Sequence, residues 1–524
     1  MGTGIKNETE LKKYLDGFES QLENLATASN AASYSQYAGE AAPSGTAGKV
    51  YGSGLTTLAG PKNWQLIREW LPKVQDAQLK RRLVMLNRIY LESAVSQTPA
   101  IESLRTQINA QLLRFQPQVA GRAINRSQVN QILRTNPDRA FRRYVFEQAL
   151  KSLAQQLAPQ VQELMHLRNS EARHLGYPDF AGLQLALAGL QSAQLLEMFD
   201  TLETSTDGLY SSFLKNAGTK SGLSQPQAWD LSWLAAQESL LSTAFFPADQ
   251  MIIGVKSFLA EFGLDVDALP IKLVTREVPF GGLCYTVRIP DDIRILANPH
   301  DGYPYFRTLL HEFGHALHAA FNRQGFYSLK YESGLFNEAM AETLAYFSHS
   351  SEWLIQYTGL DHEKIAIYQQ AGRFRRLLRL RTLMAQARFE VEAYQTPSQD
   401  LELLHARLES RYLQVPLNLT PRWAASSFPT THPVYRQNYV IAEIIATQTQ
   451  AALLSRFGDF WQAPPATRRE IFRFLVENCY APGASLDWQA KIEGVTGQNL
   501  NPTAWLDQFK IFKGYPRAGQ FTTK

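Results

Sequence analysis

Apolar residues recur three and four apart along most of this chain, separated by short runs of Pro, Gly and Ser. That period predicts helix. It covers residues 11–32, 64–97, 139–174, 363–393 and 435–457, with small-residue sequence at 41–54 and a polar Gly/Ser/Gln loop expected at 216–227. Only one region reads as strand. Residues 283–289, rich in β-branched and aromatic types, stop at Pro290, and residues 293–296 alternate after Asp291-Asp292. The pattern predicts a mainly α protein with a small β ribbon. No internal repeat and no long linker interrupts it, so a single unit spanning 1–524 is expected. Residues 1–270 form a mostly helical N-terminal part, and 271–524 the part that carries the chemistry.

That chemistry centres on His311-Glu312-Phe313-Gly314-His315, within a segment of helical spacing at 308–321. One turn of helix puts both imidazoles on one face, about 5–6 Å apart at Cβ, which suits two ligands of one zinc ion. Glu312 stands where a carboxylate can take a proton from metal-bound water. The competing reading is a buried structural histidine pair. A catalytic zinc needs a third protein ligand, and Glu338 is expected to supply it. The 23 residues after His315 let one helix end and a second return past it. Glu342, one turn beyond, is expected to accept a hydrogen bond from a ligand histidine, His311 first, which would fix the ring's tautomer. A solvated acidic face is the alternative, and Phe336, Met340, Leu344 and Phe347 argue against it by marking this helix as buried.

Residues 426–439 form a Ser/Thr/Pro-rich loop that opens an apolar helix, with Tyr435 and Tyr439 one turn apart. Such a loop is a candidate source of hydrogen-bond donors for an oxyanion. Its plainer reading has His432 capping the helix and the tyrosines packed in the core.

The run His-Glu-Phe-Gly-His-Ala-Leu-His at 311–318, followed by Asn-Glu-Ala-x-x-Glu at 337–342, resembles the gluzincin metallopeptidases. Among them it is similar to the helical group of thimet oligopeptidase, oligopeptidase F and angiotensin-converting enzyme. Leu167-Arg168-Asn169, the run from Leu175 to Phe180, and Trp229-Asp230 resemble upstream features of that group, so the resemblance covers the chain from about residue 140 onward. It implies two helical lobes flanking a channel, one Zn²⁺ per chain on its floor, and short peptides as substrates. It also implies Tyr439 as oxyanion donor, His432 assisting and Tyr435 contacting substrate. The spacing from His432 to Tyr439 is shorter than in the angiotensin-converting type. No lysine precedes His432, where Thr430 and Thr431 stand, which argues against a strict dipeptidyl-carboxypeptidase.

The strand that carries Cys284 could bind an extended peptide along its edge, with Gly281 and Gly282 letting backbone come close; an ordinary structural hairpin is the alternative. His318 is expected beside the site or in the core rather than on the metal. Arg373, Arg375, Arg376, Arg379 and Arg381 read as a solvated or salt-bridged face. The sequons at Asn7, Asn125 and Asn418 are too common a pattern to support glycosylation.

Composition narrows the classes further. With 45% hydrophobic and 19% charged residues the chain is globular rather than disordered. A net charge of +4 without any Lys/Arg block argues against nucleic acid. Two cysteines cannot make a disulfide framework or a cysteine zinc site. Without an apolar run of about 20 residues a membrane span is not expected. The start carries no export signal, so the expected compartment is cytoplasmic by default, or periplasmic or secreted where a leader has been removed. The expected function is a zinc-dependent metallopeptidase of short oligopeptides. The alternatives are a peptidyl-dipeptidase releasing C-terminal dipeptides, an inactive peptide-binding protein, and a zinc hydrolase of non-peptide amides. An aminopeptidase is disfavoured because no Gly-x-Met-Glu-Asn-type motif is present. Nothing in the sequence sets the oligomeric state.

Overall fold

The computed structural model describes residues 5–39, 60–96, 98–149, 151–237, 241–278 and 281–510; the expected loop at 41–54 lies outside them. Helices carry most of the chain and strands a small part, giving a mainly α protein with a small sheet. Helix α1 (Glu8–Tyr37) starts where the Asn7 side chain accepts the Glu10 N–H, satisfying one of the donors that a helix start leaves open. The expected helix at 64–97 is two helices, α2 (Pro61–Trp70) and α3 (Ala77–Ser96). They separate at Pro72, which has no N–H to continue the ladder and crowds the preceding turn. The expected helix at 139–174 is likewise divided, with a wide π turn at Val145–Ala149 before α4 (Lys151–His174).

The helix Ser192–Lys220 runs through the first part of the expected loop at 216–227. Ala217 and Gly218 are buried there, with Gly218 against Leu223 and Pro226. Packing therefore overrides the local breaker signal, and the turn begins only after Lys220.

The sheet has three strands rather than two: β1 (Ile271–Thr275), β2 (Gly282–Arg288) and β3 (Asp292–Ala297), in the order β1-β3-β2. β2 pairs antiparallel with β3, Cys284 opposite Ile295, and β1 lies parallel to β3, Ile271 opposite Ile293. β2 is thus an edge strand.

Five further helices build the site: α5 (Tyr303–Ala320), α6 (Gly334–Phe347), α7 (His362–Gln395), α8 (Arg436–Phe457) and α9 (Trp488–Thr496). α6 lies between α5 and α8, while β2 packs on α5 from one side and α1 from another. One apolar core runs from Leu91 to Trp505 and takes in most of these elements. A second cluster joins α1, α2 and α3 to Tyr327. No helix of the described residues is long and apolar enough to cross a membrane.

Candidate metal centre

Two helices meet at this site with almost no side chain between them. A Cβ built on Gly314 would lie 2.5 Å from the Ala341 Cα and 3.0 Å from its carbonyl oxygen, so only glycine allows this approach. The crossing sets His311 and His315 of α5 against Glu338 of α6. Glu338 Oε2 lies 3.3 Å from His311 Nε2 and 3.8 Å from His315 Nε2, and ligand atoms of all three residues fall within 4.8 Å of one another. Tetrahedral zinc with bonds of about 2.1 Å spaces its ligands by about 3.4 Å. The Glu338 Oε2 atom is buried and has no partner in hydrogen-bonding geometry. A buried carboxylate oxygen that faces two imidazole nitrogens without a hydrogen bond fits a cation. Among the described residues no second group of this kind occurs.

Charge follows this geometry. Burial pulls His311 down, but Glu338, Glu342 and Glu312 outweigh it and its pKa is raised. Burial and the nearby His311 lower that of His315. Burial would raise Glu338, yet its histidine neighbours and the Tyr435 hydroxyl hold it down. Two neutral rings and a carboxylate is the donor set that zinc takes.

Glu342 departs from expectation. Its carboxylate is engaged by Arg307 on α5 and lies 3.6 Å from Arg379 on α7, instead of holding a ligand ring. Burial opposes its charge, but Arg307, His311 and Arg379 prevail and take the pKa to about 2. The ring that does have a partner is His315: Nδ1 meets Asn337 Oδ1 at 3.1 Å, the residue next to Glu338. Arg307 stands one turn before His311, and that spacing was the available sign of its role.

Glu312 points to the sheet. Its Oε2 accepts the Cys284 N–H of β2 at 2.7 Å, and a Cβ on Gly282 would sit 2.7 Å from its Cγ. Gly282 therefore makes room for this carboxylate. Gly281 sits 3.2 Å, by the same measure, from the Thr308 methyl group. The Cys284 thiol is raised well above its ordinary pKa by burial and by Glu312, so it remains protonated.

The 426–439 segment reaches the same place. Tyr435 precedes α8 and donates its hydroxyl to Glu338 Oε1 at 2.9 Å. The Tyr439 ring lies 5.5 Å from that of Tyr435, and the His432 ring 5.7 Å from it. His432 is exposed, with Nδ1 2.9 Å from Thr431 Oγ1. Burial and the Glu338 charge raise both tyrosine pKa values, keeping the hydroxyls protonated.

What holds that segment was not legible as such. Arg168, almost fully buried on α4, donates to the Pro429 and Thr430 carbonyls and to the Tyr394 hydroxyl. Val434 adopts φ 53, a left-handed conformation rare for a β-branched residue. Glu390 of α7 is buried nearby, with no well-formed hydrogen bond to either carboxylate oxygen. Burial, opposed by Arg436, the Val434 N–H and Arg168, pushes it up from 4.5 to about 7. The unfolded chain gives up this proton near 4.5 and the folded chain near 7, so stability falls as pH rises across that window. Glu390→Gln is expected to remove roughly 3 kcal/mol of that loss. Urea unfolding at pH 5 and pH 8 measures it; equal pH dependence in variant and wild type would refute the assignment.

The basic stretch on α7 divides. Arg381 is fully buried on Tyr412, Thr206 and Asp207, whereas Arg376 and Arg379 pair with Glu443 of α8.

No protein-family model matches this chain, and no curated protein matches it either. What the fold and site define is a mainly helical protein with a His₂Glu group able to hold a metal ion.

Proposed function

We propose that this protein is a zinc-dependent peptidase of short peptides, with His311, His315 and Glu338 holding one Zn²⁺ per chain. The observation that carries the reading is the orphaned Glu338 oxygen between the His311 and His315 imidazoles, with Glu312, the residue after His311, held by a strand-edge N–H. A bound zinc ion supplies Lewis acidity, polarising a scissile carbonyl and making water a better acid.

The chain's own residues do the rest. Cys284 N–H fixes Glu312 through Oε2 and leaves Oε1 to take the proton of the attacking water. Glu312 then delivers that proton to the leaving amine. Tyr439 keeps its hydroxyl proton at neutral pH and donates it in a hydrogen bond to the developing oxyanion, with His432 assisting, while Tyr435, whose proton is given to Glu338 Oε1, contacts substrate through its ring. With the Cys284 N–H held by Glu312, the outward main-chain groups of Gly282 and the Cys284 carbonyl align an extended substrate. The side chains of His311, His315 and Glu338 are only 17%, 15% and 10% exposed. A recessed site of this kind admits an extended peptide and turns away a folded surface.

The test is to incubate the zinc-loaded protein with a mixed peptide library and read the cleavage sites by mass spectrometry. Internal cuts are expected. Release of C-terminal dipeptides alone would make it a peptidyl-dipeptidase, and intact peptides after incubation with fully loaded protein would overturn the proposal.

A further inference from the structure

A buried line of polar side chains reaches the candidate ligand His315 from the far end of the chain. Lys491 on α9 pairs with Glu332 and donates to the Cys479 carbonyl at 3.1 Å. The other oxygen of Glu332 lies 3.0 Å from His318 Nε2. His318 Nδ1 is 3.3 Å from Asn337 Oδ1, the same oxygen that meets His315 Nδ1 at 3.1 Å. The side chains of Lys491, Glu332 and His318 are 0%, 8% and 6% exposed.

Three ionisable groups out of water cost several kcal/mol of solvation each, and apolar residues of similar size often hold such a place at least as stably. None of the three touches substrate in the proposed mechanism. What they do touch, in sequence, is Asn337. An imidazole that binds metal through Nε2 must carry its proton on Nδ1, and the acceptor for that proton fixes the ring's tautomer and tilt. Asn337 can serve only if its own amide is held in one orientation. Its carbonyl oxygen lies between the rings of His315 and His318, and the far edge of the His318 ring is packed against the Glu332–Lys491 pair, its Nε2 3.0 Å from Glu332 Oε2 but outside hydrogen-bonding geometry.

We propose that Lys491, Glu332 and His318 form a positioning chain that ends on His315 through Asn337 and sets how tightly the metal is held. The inference rests on the metal-site reading above. Its consequence is that α9, more than 150 residues beyond the ligands in sequence, tunes the centre without contacting it.

The experiment measures the zinc dissociation constant by chelator competition, and the visible spectrum of the cobalt-loaded protein, for the wild type and three variants. Glu332→Gln keeps shape and removes charge. His318→Phe keeps a ring against Phe336 and Tyr480 and removes both nitrogens. Asp230→Asn is the control: it weakens an equally buried pair, with Arg142, that touches none of these residues. Glu332→Gln and His318→Phe are expected to weaken zinc 10- to 100-fold and to shift the cobalt bands. Asp230→Asn is expected to lower stability alone. Should one of the first two fail to fold, the other still decides. Zinc affinity within twofold of wild type in a folded Glu332→Gln or His318→Phe protein overturns the inference, as does an equal loss in Asp230→Asn. A wild type that takes up no zinc overturns the metal reading itself and is distinguishable from both.

Discussion

Replacing Glu312 by glutamine is expected to slow peptide hydrolysis about 10³-fold, the scale of a lost general base, while one zinc per chain stays bound. The expectation follows from how the carboxylate is placed. It is not among the three residues whose ligand atoms converge, so its charge is not needed to retain the ion. Glutamine can still accept the Cys284 N–H through its carbonyl oxygen, which keeps the side chain on the strand edge. What it loses is the oxygen that takes a proton. A time course on one cleaved peptide, with metal content measured on the same sample, reads both quantities. Hydrolysis at the wild-type rate would end the proposed mechanism; loss of zinc along with activity would show that Glu312 does something other than move a proton.

The second large effect is expected at a residue with no chemistry of its own. Gly314→Ala places a methyl carbon 2.5 Å from the Ala341 Cα, against backbone that cannot turn aside. The two helices must separate or tilt. Overpacking of this kind costs about 1–3 kcal/mol, and the shift parts His311 and His315 from Glu338. A displacement near 1 Å at a reacting centre costs on the order of 10²-fold in rate, and zinc affinity is expected to fall with it. Gly325→Ala is the matched control, since nothing lies within 4 Å of a Cβ there. Zinc titration and thermal unfolding of both variants check the expectation, and unchanged zinc affinity in Gly314→Ala would refute it.

How much of this could be read beforehand depends on whether the signal is local. A four-residue spacing is local, so the shared faces of His311 with His315 and of Glu338 with Glu342 were visible as pattern, as were β2 and β3 from their alternation. The same logic reached further than it was taken. Arg307, His311 and His315 share one face of α5, and Glu338 and Glu342 one face of α6. Antiparallel crossing of those faces places Arg307 against Glu342 and His311 against Glu338. Pairing Glu342 with a ring overlooks Arg307, one turn before His311 and the nearer partner across the crossing. β1 escaped because five residues pairing parallel with β3, the second strand after it in the chain, leave no turn signature. Lys491 and Glu332 had no local signal at all; only tertiary packing brings them 159 positions together. Breakers were the other source of error, in both directions. Pro72 split a helix that periodicity had joined, while buried packing carried another helix through Gly218.

The strand edge beside the site has a bearing on how these molecules behave toward one another. An exposed edge is a template on which a second chain can build. Along β2 two outward groups are taken: the Cys284 N–H by Glu312, and the Thr286 carbonyl by Asn30 of α1 at 3.1 Å. α1 itself packs on the strand. At about 3.3 Å per residue, the stretch from Gly282 to Cys284 is too short to seat the strand of a neighbouring copy in register. The N-terminal helix thus covers part of the one rim of the sheet that faces the metal-binding group, and takes from a second chain a carbonyl on which it could otherwise build.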